Sequence, residues 1–226
     1  MTKPCAPVAA WMMVGAVALV GTGGAASTAR ADVVQMTFTG PIQFSNMSAF
    51  PAGQLMTVTF TYESSGAPQF IANQQAFYVD HMLSISVQSG SYAASDAGGF
   101  GQIDKYDNLG NTDGIQYQVA ALQPTYQYTN PKPQTVQFPN VLSNSISQSF
   151  QNLIVNYASP SSAVWSDYTL PTTYNDALFN GTRNMLFGFS DGSFQVGNMT
   201  VTSQIVPAPG ALALLGLAGL AARRRR

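Results

Sequence analysis

Hydrophobic and polar residues alternate along much of the middle of this chain. In LMTVTFTY, residues 55–62, Met56, Val58, Phe60 and Tyr62 fall on one side and Leu55, Thr57, Thr59 and Thr61 on the other. A period of two puts successive side chains on opposite faces of a strand, so the segment predicts a strand with one buried face. Residues 33–38 alternate in the same way, and 77–87, 114–122, 149–157, 185–189 and 194–205 continue the series. Turn residues separate them at 64–68 (SSGAP), 108–111 (NLGN), Asp113-Gly114 and Asp191-Gly192. Asp-Gly between apolar runs predicts a tight hairpin, because both central positions of a type I′ turn need positive φ. Capped helical periodicity is missing, apart from a short turn at 176–179. The series predicts an all-β domain over 32–205, an antiparallel β-sandwich of jelly-roll or concanavalin-like type. Its core is expected at Val58, Phe60, Phe77, Val79, Leu83, Ile85, Val87, Leu153, Val155, Phe187 and Val201.

The two ends follow other rules. Residues 1–7 carry Lys3, residues 8–20 are apolar, and small residues follow up to Ala29-Arg30-Ala31. That order predicts a signal peptide over 1–31, with Ala29 and Ala31 as the small residues that signal peptidase accepts and Asp32 as the new N-terminus. An apolar run of this length is short for a span of roughly 20 residues. At the other end, Val206, Pro207, Ala208, Pro209 and Gly210 precede the apolar ALALLGLAGLAA and then Arg223, Arg224, Arg225 and Arg226. The prolines stop a preceding strand and hold the chain extended. The apolar run predicts a short transmembrane helix, and the arginines hold its end in the cytoplasm.

The tail resembles the PEP-CTERM sorting signal, in a Pro-Ala-Pro variant of the motif. The resemblance implies a sorting tail over 206–226 and processing by a membrane-embedded exosortase-type protease. It also implies passage through the inner membrane to the cell envelope or extracellular matrix, in association with exopolysaccharide. The body is similar to the β-rich domain that often precedes such tails, through Thr37-Phe38-Thr39-Gly40, Thr59-Phe60-Thr61-Tyr62, the Asp/Asn-rich stretch 104–114 and Leu170-Pro171-Thr172-Thr173. That resemblance implies a fold and a destination without a reaction.

Charge sharpens the picture. The ten acidic residues all lie in 32–205, against three cations there, Lys105, Lys132 and Arg183; the remaining six basic residues sit in the two ends. An acidic body of this kind cannot neutralise a row of phosphates, which argues against nucleic acid as a partner. The single cysteine, Cys5, precedes the apolar run of the leader, so it cannot be the lipid-accepting cysteine of a lipoprotein signal, and the mature body would contain none.

Catalytic patterns are sparse. His81 is the only histidine, and the adjacent Asp80 would point to the opposite face of a strand. Glu63 is the only glutamate, which leaves the paired carboxyls of a glycosidase without a partner. The densest set of hard oxygen ligands is Asp104, Asp107, Asn111 and Asp113, a candidate Ca²⁺ site whose spacing departs from an EF-hand loop and equally suits a solvated turn. Tyr117, Tyr126, Tyr128, Trp165, Tyr168 and Tyr174 are candidates for a sugar-stacking platform or for packing. These patterns predict an exported, non-enzymatic protein without cofactors, or alternatively a lectin-like carbohydrate-binding module assisted by Ca²⁺.

Overall fold

The computed structural model describes residues 32–121 and 136–206. Twelve strands occupy most of them. The first six are β1 (Val33–Ser45), β2 (Leu55–Glu63), β3 (Phe70–Ala72), β4 (Gln75–Ser89), β5 (Tyr92–Leu109) and β6 (Thr112–Ala120). The rest are β7 (Val141–Ser143), β8 (Ile146–Gln148), β9 (Phe150–Ser159), β10 (Arg183–Phe189), β11 (Gly192–Gly197) and β12 (Thr200–Val206). One short 3₁₀ turn, Asp176–Leu178, lies before β10, with the Asn175 side chain accepting from the Ala177 N–H.

The main sheet runs β11-β10-β9-β6-β5-β4-β2-β1-β12, and β3 adds to β4. It is antiparallel throughout, and it curls until β1 meets β11 as well, at Ile42↔Val196 and Ser45↔Phe194. β7 and β8 form a separate hairpin.

Alternation explains the interior. Met36, Phe38, Met56, Val58, Phe60 and Tyr62 are buried, as the period of two predicts. Phe38 on β1 meets Tyr117 on β6 and Tyr157 on β9 edge-on, at 5.6 and 5.8 Å between ring centres. Phe60 stacks on Tyr117 at 4.9 Å. β1 and β2 therefore face β6 and β9 across an aromatic core, where each fully buried large apolar side chain is worth roughly 1.5–3 kcal/mol.

Three sequence expectations need correction. Phe77, Val79 and Leu83 are half-buried and lie outside the core. The β4–β5 register slips between Val79 and Met82 and again between Met82 and Ser84. An extra residue in a strand reverses its parity, so burial passes from Ala76, Tyr78 and Met82 to Ile85 and Val87. Asp113-Gly114 is not a turn but lies inside β6; the turn is Gly110-Asn111, with φ of 60° and 65°, between the paired Leu109 and Thr112. The run 194–205 is two strands, divided where Asn198 takes a φ of 49°.

Candidate functional site

The connection 160–182 is fastened to several strands, and it holds or engages Asp113, Tyr117, Trp165, Tyr168 and Tyr174 among the sequence-predicted site residues. The Lys105 ammonium, with a side chain 1% exposed, donates to the Thr169 carbonyl at 2.6 Å and to Asp167 Oδ1 at 3.2 Å, 4.7 Å from the centre of the Trp165 ring. Burial pushes its pKa down, while Asp167 pulls it back up. Asp113 accepts from the Asn108 N–H at 2.8 Å through one oxygen and from the Val164 and Trp165 N–H groups at 2.8 and 2.9 Å through the other. Tyr62 donates to the Pro171 carbonyl at 2.5 Å, Tyr78 to the Tyr168 carbonyl and Tyr157 to Asp176. These polar groups tether a largely exposed connection to the sheet through its backbone and side chains.

The candidate Ca²⁺ ligands are consequently separated. Asp113 is spent on three N–H groups, Asn111 sits exposed at the hairpin tip, and Asp107 lies half-buried near the end of β5. Asp104 is on the opposite face of the sheet from Lys105, held by amides. Among the described residues, no group of three or more His, Cys, Asp and Glu is placed to hold a metal ion. The aromatic candidates are also divided. Tyr117 is fully buried, with its hydroxyl 3.0 Å from that of Tyr174, and cannot stack on a ligand. Trp165 and Tyr174 pack against Phe179, and Tyr168 packs partly buried on the core. Tyr126 and Tyr128 lie outside the described residues. So do Ala29, Ala31, Pro207, Ala208, Pro209, Gly210 and the four arginines, Arg223, Arg224, Arg225 and Arg226. Val206 ends β12 as the register partner of Val33, the first residue of β1.

A more coherent site lies on the outer face of β5, β6, β9 and β10. Asp104, Gln116, Asn156 and Asn184 are direct register neighbours across these four strands. Their side chains form one continuous chain. Gln102 and Gln118 donate to the two oxygens of Asp104 at 2.5 and 2.8 Å, and Gln118 also donates to Gln116 at 2.5 Å. Gln116 donates to Asn156, which donates to Asn184 at 2.9 Å. Burial raises the Asp104 pKa to about 6, against the lowering effect of the two amides.

The next rank along the same face is Tyr106, Gly114 and Ala158. The Tyr106 ring lies over Gly114: a Cβ there would overlap the ring edge, 2.6 Å from Cζ and 2.8 Å from the hydroxyl. The half-buried ring, Asn156 and Thr182 line an open cleft of about 480 Å³, with Ala158 and Gly181 among its small residues. Tyr106 was not among the aromatics singled out from sequence. Its signal was present as Tyr106 and Gly114 at either side of the 108–111 turn, but their pairing is readable only once Asp113-Gly114 is placed inside β6.

The opposite outer face carries hydroxyls. Thr202, Thr37, Thr59, Ser86 and Ser95 form one cross-strand rank, and Thr200, Thr39 and Thr57 another. Thr37 and Thr59 are hydrogen-bonded at 3.0 Å, Thr39 and Thr57 at 3.2 Å. A shallow depression of about 470 Å³ lies beside them, lined by Gln35, Thr61 and Ser84.

His81 stands alone. Its Nδ1 is 3.5 Å from the Glu63 carbonyl and its ring meets Tyr78 edge-on. No family model, curated protein or solved structure matches this chain.

Proposed function

We propose that this is an exported, non-enzymatic protein of the cell envelope or extracellular matrix that associates with exopolysaccharide. Signal peptidase releases the body after Ala31. The tail 206–226 then enters the inner membrane, and an exosortase-type protease removes it at the Pro-Ala-Pro segment. The body is a β-sandwich whose two halves, β1-β2 and β6-β9, face each other across the aromatic core.

The observation that carries this reading is where the sheet begins and ends. Val33 and Val206 are register partners. Among the described residues the first strand therefore opens at Val33, two residues after Ala31 of the expected cleavage motif, and the last closes at Val206, next to the Pro-Ala-Pro segment. The described outer faces support the second half of the reading. They present hydroxyls and amides, groups suited to a hydrated polymer of hydroxyls. The alternative, a lectin-like module, is favoured by one feature, the Tyr106 cleft.

Mass spectrometry of the exported form tests the proposal. The expected product begins at Asp32 and ends near Pro207. A chain deleted from residue 207 onward should stay folded but stop in the periplasm. If the truncated and full-length chains reach the same final compartment at the same rate, sorting by the tail is excluded.

A further inference from the structure

We propose that the cleft beside Tyr106 binds a single neutral pyranose unit of a polysaccharide, with the sugar's apolar face against the phenol ring and its hydroxyls on the adjoining amides. This rests on the lectin-like alternative above and gives it a site.

The argument begins with the ring. Tyrosine offers a broad apolar surface with a polar tip, and such a surface recognises ligands best when its rotamer is already fixed. Gly114 supplies that fixation. The lack of a side chain opposite Tyr106 lets the ring settle onto the β6 backbone, in the space a Cβ would occupy. Ala158 continues the rank and Gly181 flanks it, so the floor stays low. The result is a cleft of about 480 Å³ beside the polar rank Asp104, Gln116, Asn156 and Asn184.

The amides come next. Asn156 lines the cleft and belongs to the chain running from Gln102 through Asp104 to Asn184. Gln116 and Asn156 each have both the carbonyl and the amino group oriented by a neighbour, so the donors and acceptors left over on them point in set directions. A sugar hydroxyl is itself both donor and acceptor and matches such a row, whereas a purely apolar ligand would leave it unanswered.

Charge decides the class of sugar. Tyr106, Asn156, Thr182 and the rest of the lining are uncharged. A carboxyl, Asp104, lies one rank away on the same face, close enough to act on the Tyr106 hydroxyl. A uronate or a phosphorylated sugar would meet a negative charge with no cation in the lining to offset it. A neutral hexose meets neither difficulty.

The test uses the full-length protein and affinity electrophoresis in gels containing soluble neutral glucan, mannan or galactan, with polygalacturonate as the anionic counterpart. At least one neutral polymer should retard the protein, and polygalacturonate should not. Tyr106→Leu should weaken that binding at least tenfold, while Tyr106→Phe should retain it, because the ring and not the hydroxyl provides the platform. Thr182→Trp, a change at an exposed position on the rim, should block the cleft and abolish retardation with no change in melting temperature; it serves as the test if Tyr106→Leu fails to fold. Retardation by none of the neutral polymers overturns the inference, as does preference for polygalacturonate or binding that survives Thr182→Trp. None of these results bears on export, which the termini and the final compartment report separately.

Discussion

Asp104 is the residue through which pH reaches the outer face. Its carboxyl is 5% exposed and takes its hydrogen bonds from neutral amides, so burial outweighs them and lifts its pKa from 3.8 to about 6. The sign follows from proton counting. Between those two values the folded chain binds more protons than the unfolded one, so this group adds stability as pH falls from 6 towards 4. Above 6 its ionised form is a standing cost, of at most about 3 kcal/mol for a shift of this size. Asp167 acts in the opposite direction, because Thr169 and Lys105 hold its pKa down. The comparison must therefore be made against a variant. Thermal melts from pH 7 to 4.5 should show the parent gaining stability relative to Asp104→Asn. Parallel profiles for the two proteins would mean that the carboxyl is not desolvated.

At the scale of elements, the β5–β6 hairpin shows what a strand-level reading of the sequence can and cannot give. Alternation alone placed β2 within a residue of its ends, and the first half of β1 and most of β4, β6, β9 and β10 were legible for the same reason. β5, the longest strand at 18 residues, was not. YAASDAGGFGQIDKYDNL offers Gly, Ala and Asp where a strand pattern needs large apolar residues, and only its pairing with β4 and β6 makes it a strand. With β5 unread, Asp113-Gly114 reads as a second turn after 108–111, and the aspartates group into one loop. Pairing separates them: Asp104 goes to the outer face, while Asp113 turns to the 160–182 connection. Asp113→Ala should therefore cost about 2–4 kcal/mol in urea unfolding, because three N–H groups lose their acceptor in a buried setting. Asp107→Ala, at a half-buried position near the end of β5, should cost clearly less, about 1 kcal/mol or under. Chelator should leave the melting temperature of the parent unchanged. A loss of stability in chelator of the same size as that from Asp113→Ala would return the loop to the role of a Ca²⁺ site.

At the scale of the whole molecule, the fold depends on one strand serving three neighbours. Residues 33–39 of β1 lie between β2 and β12, and residues 42–45 pair with β11. The exchange of partners happens at Gly40 and Pro41. There β1 passes against the link between β11 and β12, so closely that a Cβ on Gly40 would sit 2.7 Å from the Gly197 carbonyl, 3.0 Å from Val196 and 3.2 Å from Met199. A backbone carbonyl in a paired strand cannot swing aside as a flexible side chain can. Gly40→Ala should therefore push β1 away from β11 or β12, at a cost of about 1–3 kcal/mol. Closure of the sheet through β11 is the contact most exposed to that displacement, because only Ile42, Phe44 and Ser45 hold it, across a register shift. Urea unfolding should show a lower midpoint for Gly40→Ala, and amide hydrogen exchange should show protection lost at residues 42–45 and 194–196 before the rest of the sheet. Pro41→Ala, one residue further on, leaves the close approach intact and should cost clearly less. Equal midpoints for Gly40→Ala and the parent would mean that the sheet tolerates a wider gap at this crossing, and that the curl is set elsewhere, by the β4–β5 register slips.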